Sequence, residues 1–441
     1  MMARRLPYVC AVLAAAMLGG QPLFAQDEPL RIEITEGTMQ PMPLALSFEA
    51  TGEASELARQ IAEVIEADLV GTGLFLMPDI TDAPETRFDR VVDYIGWKAA
   101  NTEALVTGSV SEAGGKILVQ FRLFDIFAGQ PLGDGMQFDA PREGWRRAGH
   151  KIADQIYARI TGEAPYFDSR VAFIGESGPA TERVKRVGVM DADGADVKWL
   201  TAGSDLALSP RFSPDGRTVL FTSFASGMPQ IMAVDVDTVT ARVLTSDPHT
   251  MSFAPRYSPD GRWIAFSRET AGNTDIWIME VGNPSFSKPL TRGPSIDTAP
   301  SWSPDGRRIV FESDRSGSSQ LYVMGADGSD PVRISFAEDG GGYGEPSWSP
   351  RGDRIAFTRQ TGKGSAIGTM RPDGSDERLL TEGPADAGPS WAPNGRVLIF
   401  TRQGGEDETA HLHSVDITGR NMRPVALNDA ASDPAWGPLL P

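Results

Sequence analysis

Five near-copies of one octapeptide, evenly spaced, restrict this chain more than any other feature: PRFSPDGR at 210–217, PRYSPDGR at 255–262, PSWSPDGR at 300–307, PSWSPRGD at 346–353 and PSWAPNGR at 389–396. From one leading proline to the next the spacings are 45, 45, 46 and 43 residues, and Asp433-Pro434-Ala435-Trp436-Gly437-Pro438 is a shortened sixth copy 45 residues further on. A fixed period of this size marks an array of equivalent units. Inside each copy an aromatic residue precedes an Asp-Gly, Arg-Gly or Asn-Gly turn, a pairing suited to tight hairpins. A short apolar strand follows, such as Ile264-Ala265-Phe266 or Ile309-Val310-Phe311, then a second, such as Ile276-Trp277-Ile278-Met279. A hydrophobic residue followed by Thr or Ser closes the unit, as in Leu244-Thr245 and Ile334-Ser335. Four short antiparallel strands in about 45 residues make one propeller blade.

Counting blades predicts how the ring closes. Val171 to Ile174, Arg186 to Met190 and Val197 to Thr201 are strands two to four of a unit that lacks its first strand, and residues 432–438 are a first strand without the rest. Joined, they give a sixth blade and leave no open sheet edge. The fold class is therefore mainly β: a six-bladed propeller over 166–441, preceded by a small α/β domain over 26–165. In that domain the apolar stripe Leu57, Ile61, Val64, Ile65, Leu69 predicts a helix with Ser55 as N-cap, stopped by Gly71 and Gly73. A second helix is expected from Glu143 to Thr161, and a hairpin around Gly114-Gly115. Arg31 to Thr35 and Met42 to Phe48 are further strand candidates.

The first 25 residues read as an export signal: Arg4 and Arg5, an apolar run from Val9 to Leu18, and Leu23-Phe24-Ala25 before the cut. The expected location is the periplasm, with the mature chain starting near Gln26. Cys10 is the one cysteine, so no disulfide is expected after cleavage. A formal charge of −18 disfavours nucleic-acid binding, and no later apolar run is long enough to insert in a membrane.

Chemistry is sparse. His411 and His413 share a strand face without a third ligand nearby, the Asp191–Asp196 turn lacks the spacing of a calcium loop, and no Gly-x-Ser-x-Gly pentapeptide occurs. Neither catalysis nor a cofactor or metal is expected. The segments leading into the innermost strands differ most between copies, which points to recognition at one mouth of the channel. Met251, Phe253, Asp297, Thr298, Tyr343 and Glu345 are the candidates there. The alternative is an exported propeller enzyme acting on glycan or peptide at the same mouth.

The leader, the α/β domain, the six-part SPDG ring and the terminal DPAWGP together resemble the TolB family of the Tol-Pal system. The resemblance implies a monomeric, non-enzymatic protein that binds the lipoprotein Pal at its propeller mouth, Thr298 corresponding to a Pal-contacting threonine. It implies that the N-terminal segment, Leu30, Arg31, Ile32, Glu33 and Ile34 included, engages TolA, in service of outer-membrane integrity and constriction at division. Bacteriocins and other outer-membrane proteins are further partners so implied.

Overall fold

The computed structural model describes residues 30–32, 40–50, 54–179, 182–337, 340–404, 409–427 and 429–441. The expected leader with its cleavage site, and Glu33 and Ile34, lie outside these residues.

Six four-stranded antiparallel sheets form the propeller. Blades 1 to 5 have innermost strands Ala207–Phe212, Thr250–Tyr257, Asp297–Trp302, Gly342–Trp348 and Asp386–Trp391. Blade 6 is composite: Ala430–Leu439 pairs antiparallel with Ser169–Ser177, placing Trp436 opposite Val171. The core lies between blades. Each blade contributes one second-strand phenylalanine, Phe221, Phe266, Phe311, Phe357, Phe400 or Phe173, none more than 3% exposed. Separate hydrophobic clusters fill all six blade interfaces. Burial on both faces explains the uninterrupted apolar strands.

The repeat's polar residues each have a task. In blade 1, Ser213 Oγ donates to Asp215, whose carboxylate also accepts from Arg217 N, while Ser213 Oγ accepts from Thr218 N. Blades 2 and 3 repeat this with Ser258 and Asp260, and with Ser303 and Asp305. These serines hold the three carboxyls below the usual carboxylate range. Gly216, with φ +71°, supplies the left-handed residue of the turn. The closing Thr or Ser completes a ladder: Thr245, Thr291, Ser335 and Thr381 each accept from a third-strand N–H through the hydroxyl.

The N-terminal domain packs two helices on a mixed sheet that includes Met42–Ala50, Ala104–Ala113, Lys116–Asp125 and Met136–Pro141. Helix α1 (Ser55–Gly71) buries the predicted stripe. Ser55 is not its cap: it is the first helical residue, and Ala54 precedes it with no side-chain cap bond. Ala54 is 1% exposed, so burial of its methyl fixes where the helix starts. The helix also runs through Gly71, and Asn421 of blade 5 donates to the Gly71 carbonyl at 2.8 Å. The short helix α2 (Tyr94–Ala99) covers the other sheet face with Trp97. Helix α3 (Trp145–Thr161) ends at Gly162, φ +72°.

Helix α3 also anchors the propeller. Buried Asp154 accepts from the N–H groups of Tyr166, Phe167 and Asp168 at 2.7, 2.8 and 3.0 Å. Arg147 pairs with Asp168 and donates to the Pro441 carbonyl. Trp436 stands edge-on to Tyr166 at 6.0 Å and donates from Nε1 to Ser169. The strand that closes the ring is thereby fastened to the N-terminal domain as well.

Candidate protein-binding site at the propeller mouth

All six innermost strands run in one direction, so their first residues surround one end of the channel. Each strand carries a bulge just before its proline. The residue there is left-handed in every blade: Ser209, Ala254, Ala299, Glu345, Gly388 and Asp433 have φ between +50° and +64°. Five of these residues are not glycine, and the left-handed region costs such a residue roughly 1–2 kcal/mol. Side chains of neighbouring blades brace the ring. Thr222, Ser267, Glu312, Thr358 and Thr401 accept from the N–H of Ala254, Ala299, Glu345, Gly388 and Asp433. Ile174 stands at this position in blade 6 and cannot accept, and Asp433 Oδ2 accepts from Ser209 N instead at 3.0 Å.

This ring aims the residues ahead of it. Four positions before the proline stand Leu206, Met251 and Ile296 in blades 1, 2 and 3. Leu206 is 40% and Ile296 49% exposed, and Phe336, in the segment leading into blade 4, is 63% exposed. Hydrogen bonds hold the backbone of Leu206 and Ile296 there: Leu206 O accepts from Phe224 N, and Asp314 accepts from Ile296 N at 2.8 Å. The mouth is thus apolar along blades 1 to 4, and acidic at Glu345 and Asp433. Those carboxylates are already engaged, Glu345 Oε2 accepting from Gly388 N and from the Thr358 hydroxyl. Deeper in the channel Arg211 and Arg256 stand at matching positions of blades 1 and 2. Burial pushes both guanidinium pKa values down, Arg211 to about 10, and for Arg256 the neighbouring Arg211 adds to the effect.

The six candidates from the sequence all lie at this mouth, but within the innermost strands, not in loops, because ladder pairing begins before the bulge. Met251, Phe253 and Thr298 are half-buried and Glu345 is exposed. Asp297 is buried under Arg315, bonded through both oxygens at 3.0 and 2.9 Å, as Asp386 is under Arg402 at 2.7 Å. Tyr343 is buried and donates to Glu377, its pKa pushed up to about 12 by burial and that carboxylate. Leu206 and Phe336 were missed. A signal for Leu206 existed: it matches Met251 and Ile296 at one 45-residue spacing.

At the other end of the protein, Leu30 N donates to Asp125 at 3.2 Å and Ile32 N to the Ile160 carbonyl at 2.9 Å. Leu30 and Ile32 pack on the N-terminal core, and Arg31 is exposed. His411 Nε2 lies 2.8 Å from Thr409 Oγ1, and burial lowers the His413 pKa.

The model of the TolB amino-terminal domain matches residues 30–132, and that of the TolB beta propeller domain matches 157–440. The Tol-Pal system protein TolB of Roseobacter denitrificans is 52% identical over 248 residues, 55% of this chain and 56% of that protein. Its counterpart in Cereibacter sphaeroides (strain ATCC 17025) is 53% identical over 245 residues, 55% of each. The aligned region thus spans about half the length of these curated relatives. The crystal structure of TolB from Acinetobacter baumannii superposes with a TM-score of 0.80 at 26% identity, covering 91% of this chain and 97% of that one. With a domain model matched over more than half its length and a ring and leading domain of the same build, the chain belongs to the TolB family of the Tol-Pal system.

Proposed function

We propose that this protein is a periplasmic adaptor that binds and does not catalyse, taking up Pal at the propeller mouth and TolA at its N-terminal segment. The observation that carries the reading is the apolar arc at the mouth: Leu206, Ile296 and Phe336 are exposed, Met251 is half-buried between them, and hydrogen bonds hold the backbone of Leu206 and Ile296 in place. Exposed apolar side chains on a rigid frame favour protein contact, since little ordering entropy remains to be lost on binding. The acids beside them are occupied with hydroxyl and backbone donors, which suits a scaffold more than proton transfer. For TolA the support is the segment at Leu30–Ile32, which lies along the N-terminal domain with Leu30 N donating to Asp125 and Ile32 N to the Ile160 carbonyl, the kind of backbone pairing that a partner's strand can take over.

Calorimetric titration of the intact chain with Pal tests the mouth. Leu206→Asp and Ile296→Asp should each weaken binding at least about tenfold, as loss of a buried anchor does. Phe286→Ala, in the outermost strand of blade 2, should leave it unchanged. Equal affinities for all three variants would overturn the reading. Removing residues 26–38 should abolish TolA binding and spare Pal binding.

A further inference from the structure

The repeat is not uniform where it lines the channel. The residue after the strand proline is Arg211 and Arg256 in blades 1 and 2, Ser301, Ser347 and Ser390 in blades 3 to 5, and Ala435 in blade 6. Both arginines and all three serines line one cavity of about 320 Å³ inside the ring. It begins below the bulges of the mouth and reaches the far end of the channel, where Pro214 of the first SPDG turn and its counterpart in every other blade also line it. No aspartate or glutamate is among the described residues of its wall, although the chain carries a formal charge of −18.

Hydrogen-bond donors are left over at this level. A guanidinium has five N–H groups, accepts nothing and stays charged. The structure engages one nitrogen of each: Arg211 Nη1 donates to the Pro210 carbonyl at 2.6 Å and Arg256 Nη1 to the Pro255 carbonyl at 3.2 Å. Neither has an ion-pair partner among the described residues. Asp433 and Glu345 attract both from the mouth, but their carboxylates accept from Ser209 N, Gly388 N and the Thr358 hydroxyl. Across the channel the Ser301 and Ser390 hydroxyls accept from Trp348 N and Trp436 N, so each keeps its own O–H to donate. Two half-buried like charges on neighbouring strands repel, and buried charge is ordinarily paired.

We propose that this level of the channel binds a small, doubly charged oxyanion of the phosphate type. The forks of Arg211 and Arg256 take its oxygens in parallel pairs of N–H bonds, and Ser301, Ser347 and Ser390 donate from the facing blades. A tetrahedral ion has acceptors pointing to both walls, whereas a carboxylate presents two oxygens in one plane and can serve only one. Bound there, the anion supplies the counter-charge that the wall lacks and ends the repulsion between the two arginines. The site lies deeper than Leu206, Met251 and Ile296, so it does not depend on which protein the mouth takes up.

The test is calorimetric titration of the intact chain with inorganic phosphate in a zwitterionic buffer of low salt. Binding should saturate at one ion per chain, and phosphate should raise the melting temperature more than sodium chloride of equal ionic strength. Arg211→Met and Arg256→Met should each weaken binding at least about tenfold, because each removes charge-assisted hydrogen bonds. Arg90→Met, at an exposed position of the N-terminal domain, makes the same change in net charge and should leave binding unchanged. Acetate should bind at least about tenfold more weakly than phosphate. Absence of saturable binding, an equal loss in Arg90→Met, or acetate binding as tightly as phosphate would overturn the proposal.

Discussion

Replacing Trp436 with alanine removes a side chain that joins the closing strand both to the rest of the ring and to the N-terminal domain. The indole is half-buried, donates from Nε1 to Ser169 at 2.9 Å, stands edge-on to Tyr166, and packs on the cluster between blades 5 and 6. Truncating a buried tryptophan costs about 3–5 kcal/mol, and partial exposure places this one near the lower end. About 1 kcal/mol of that is the lost hydrogen bond and a similar amount the ring contact. Urea unfolding followed separately by tryptophan fluorescence and far-ultraviolet dichroism measures the loss. Phe286→Ala is the control: that ring is 50% exposed and leans on Trp263, so its removal should cost less than about 1 kcal/mol. Since Trp436 also contributes to the N-terminal core, its loss should pull apart transitions that coincide in the parent. Equal stability of the two variants, with coincident transitions in both, would refute the account of closure.

Arg256→Met should raise the melting temperature, because it removes one of two like charges on neighbouring innermost strands that have no ion-pair partner among the described residues; the gain should shrink as salt rises, and a fall in stability would contradict it. His150 bears on the pH dependence of stability. Burial opposes its charge, but Asp68 and Asp191 outweigh burial and raise its pKa to about 10, above the ordinary 6.5 of the unfolded chain. Its charge therefore stabilises the fold fully below pH 6.5, and that contribution is lost as pH climbs toward 10. His150→Gln should flatten this part of the stability profile, and an unaltered slope would show that the histidine is not its source.

Much of this architecture was legible because the repeat encodes it locally. SPDG fixes a turn through one serine and one aspartate, and the second-strand phenylalanine fixes the interface between blades. Even closure could be read, since strands two to four and strand one of a single blade sit at opposite ends of the array. The helix start at Ser55, with Ala54 in the cap position, could not: it goes with the Ala54 methyl finding a place in the core, which no local pattern records. Asp297 and Asp386 look like exposed mouth residues in sequence and are buried under arginines 18 and 16 residues further along the chain, which only the pairing of the first two strands brings alongside them: Arg402 is the ladder partner of Asp386, and Arg315 follows Ser313, the partner of Asp297. The turn at Asp191–Asp196 resembles the other Asp-Gly hairpins, and only the docking of α3 turns its carboxylates toward Arg146 and His150. Exposure of Leu206 and Phe336 follows from the ring's assembly, not from either residue's neighbours in sequence.

The composite blade also imposes an order of events on biosynthesis. Ala435 pairs with Ala172 across more than half the chain, so no amount of early folding can supply the missing first strand. Until it arrives, Ser169–Ser177 presents bare backbone donors and acceptors along one margin, a template for any passing strand. A nascent or truncated chain is therefore the form most exposed to aggregation and proteolysis. Arrival of the final segment protects the whole molecule in a single step.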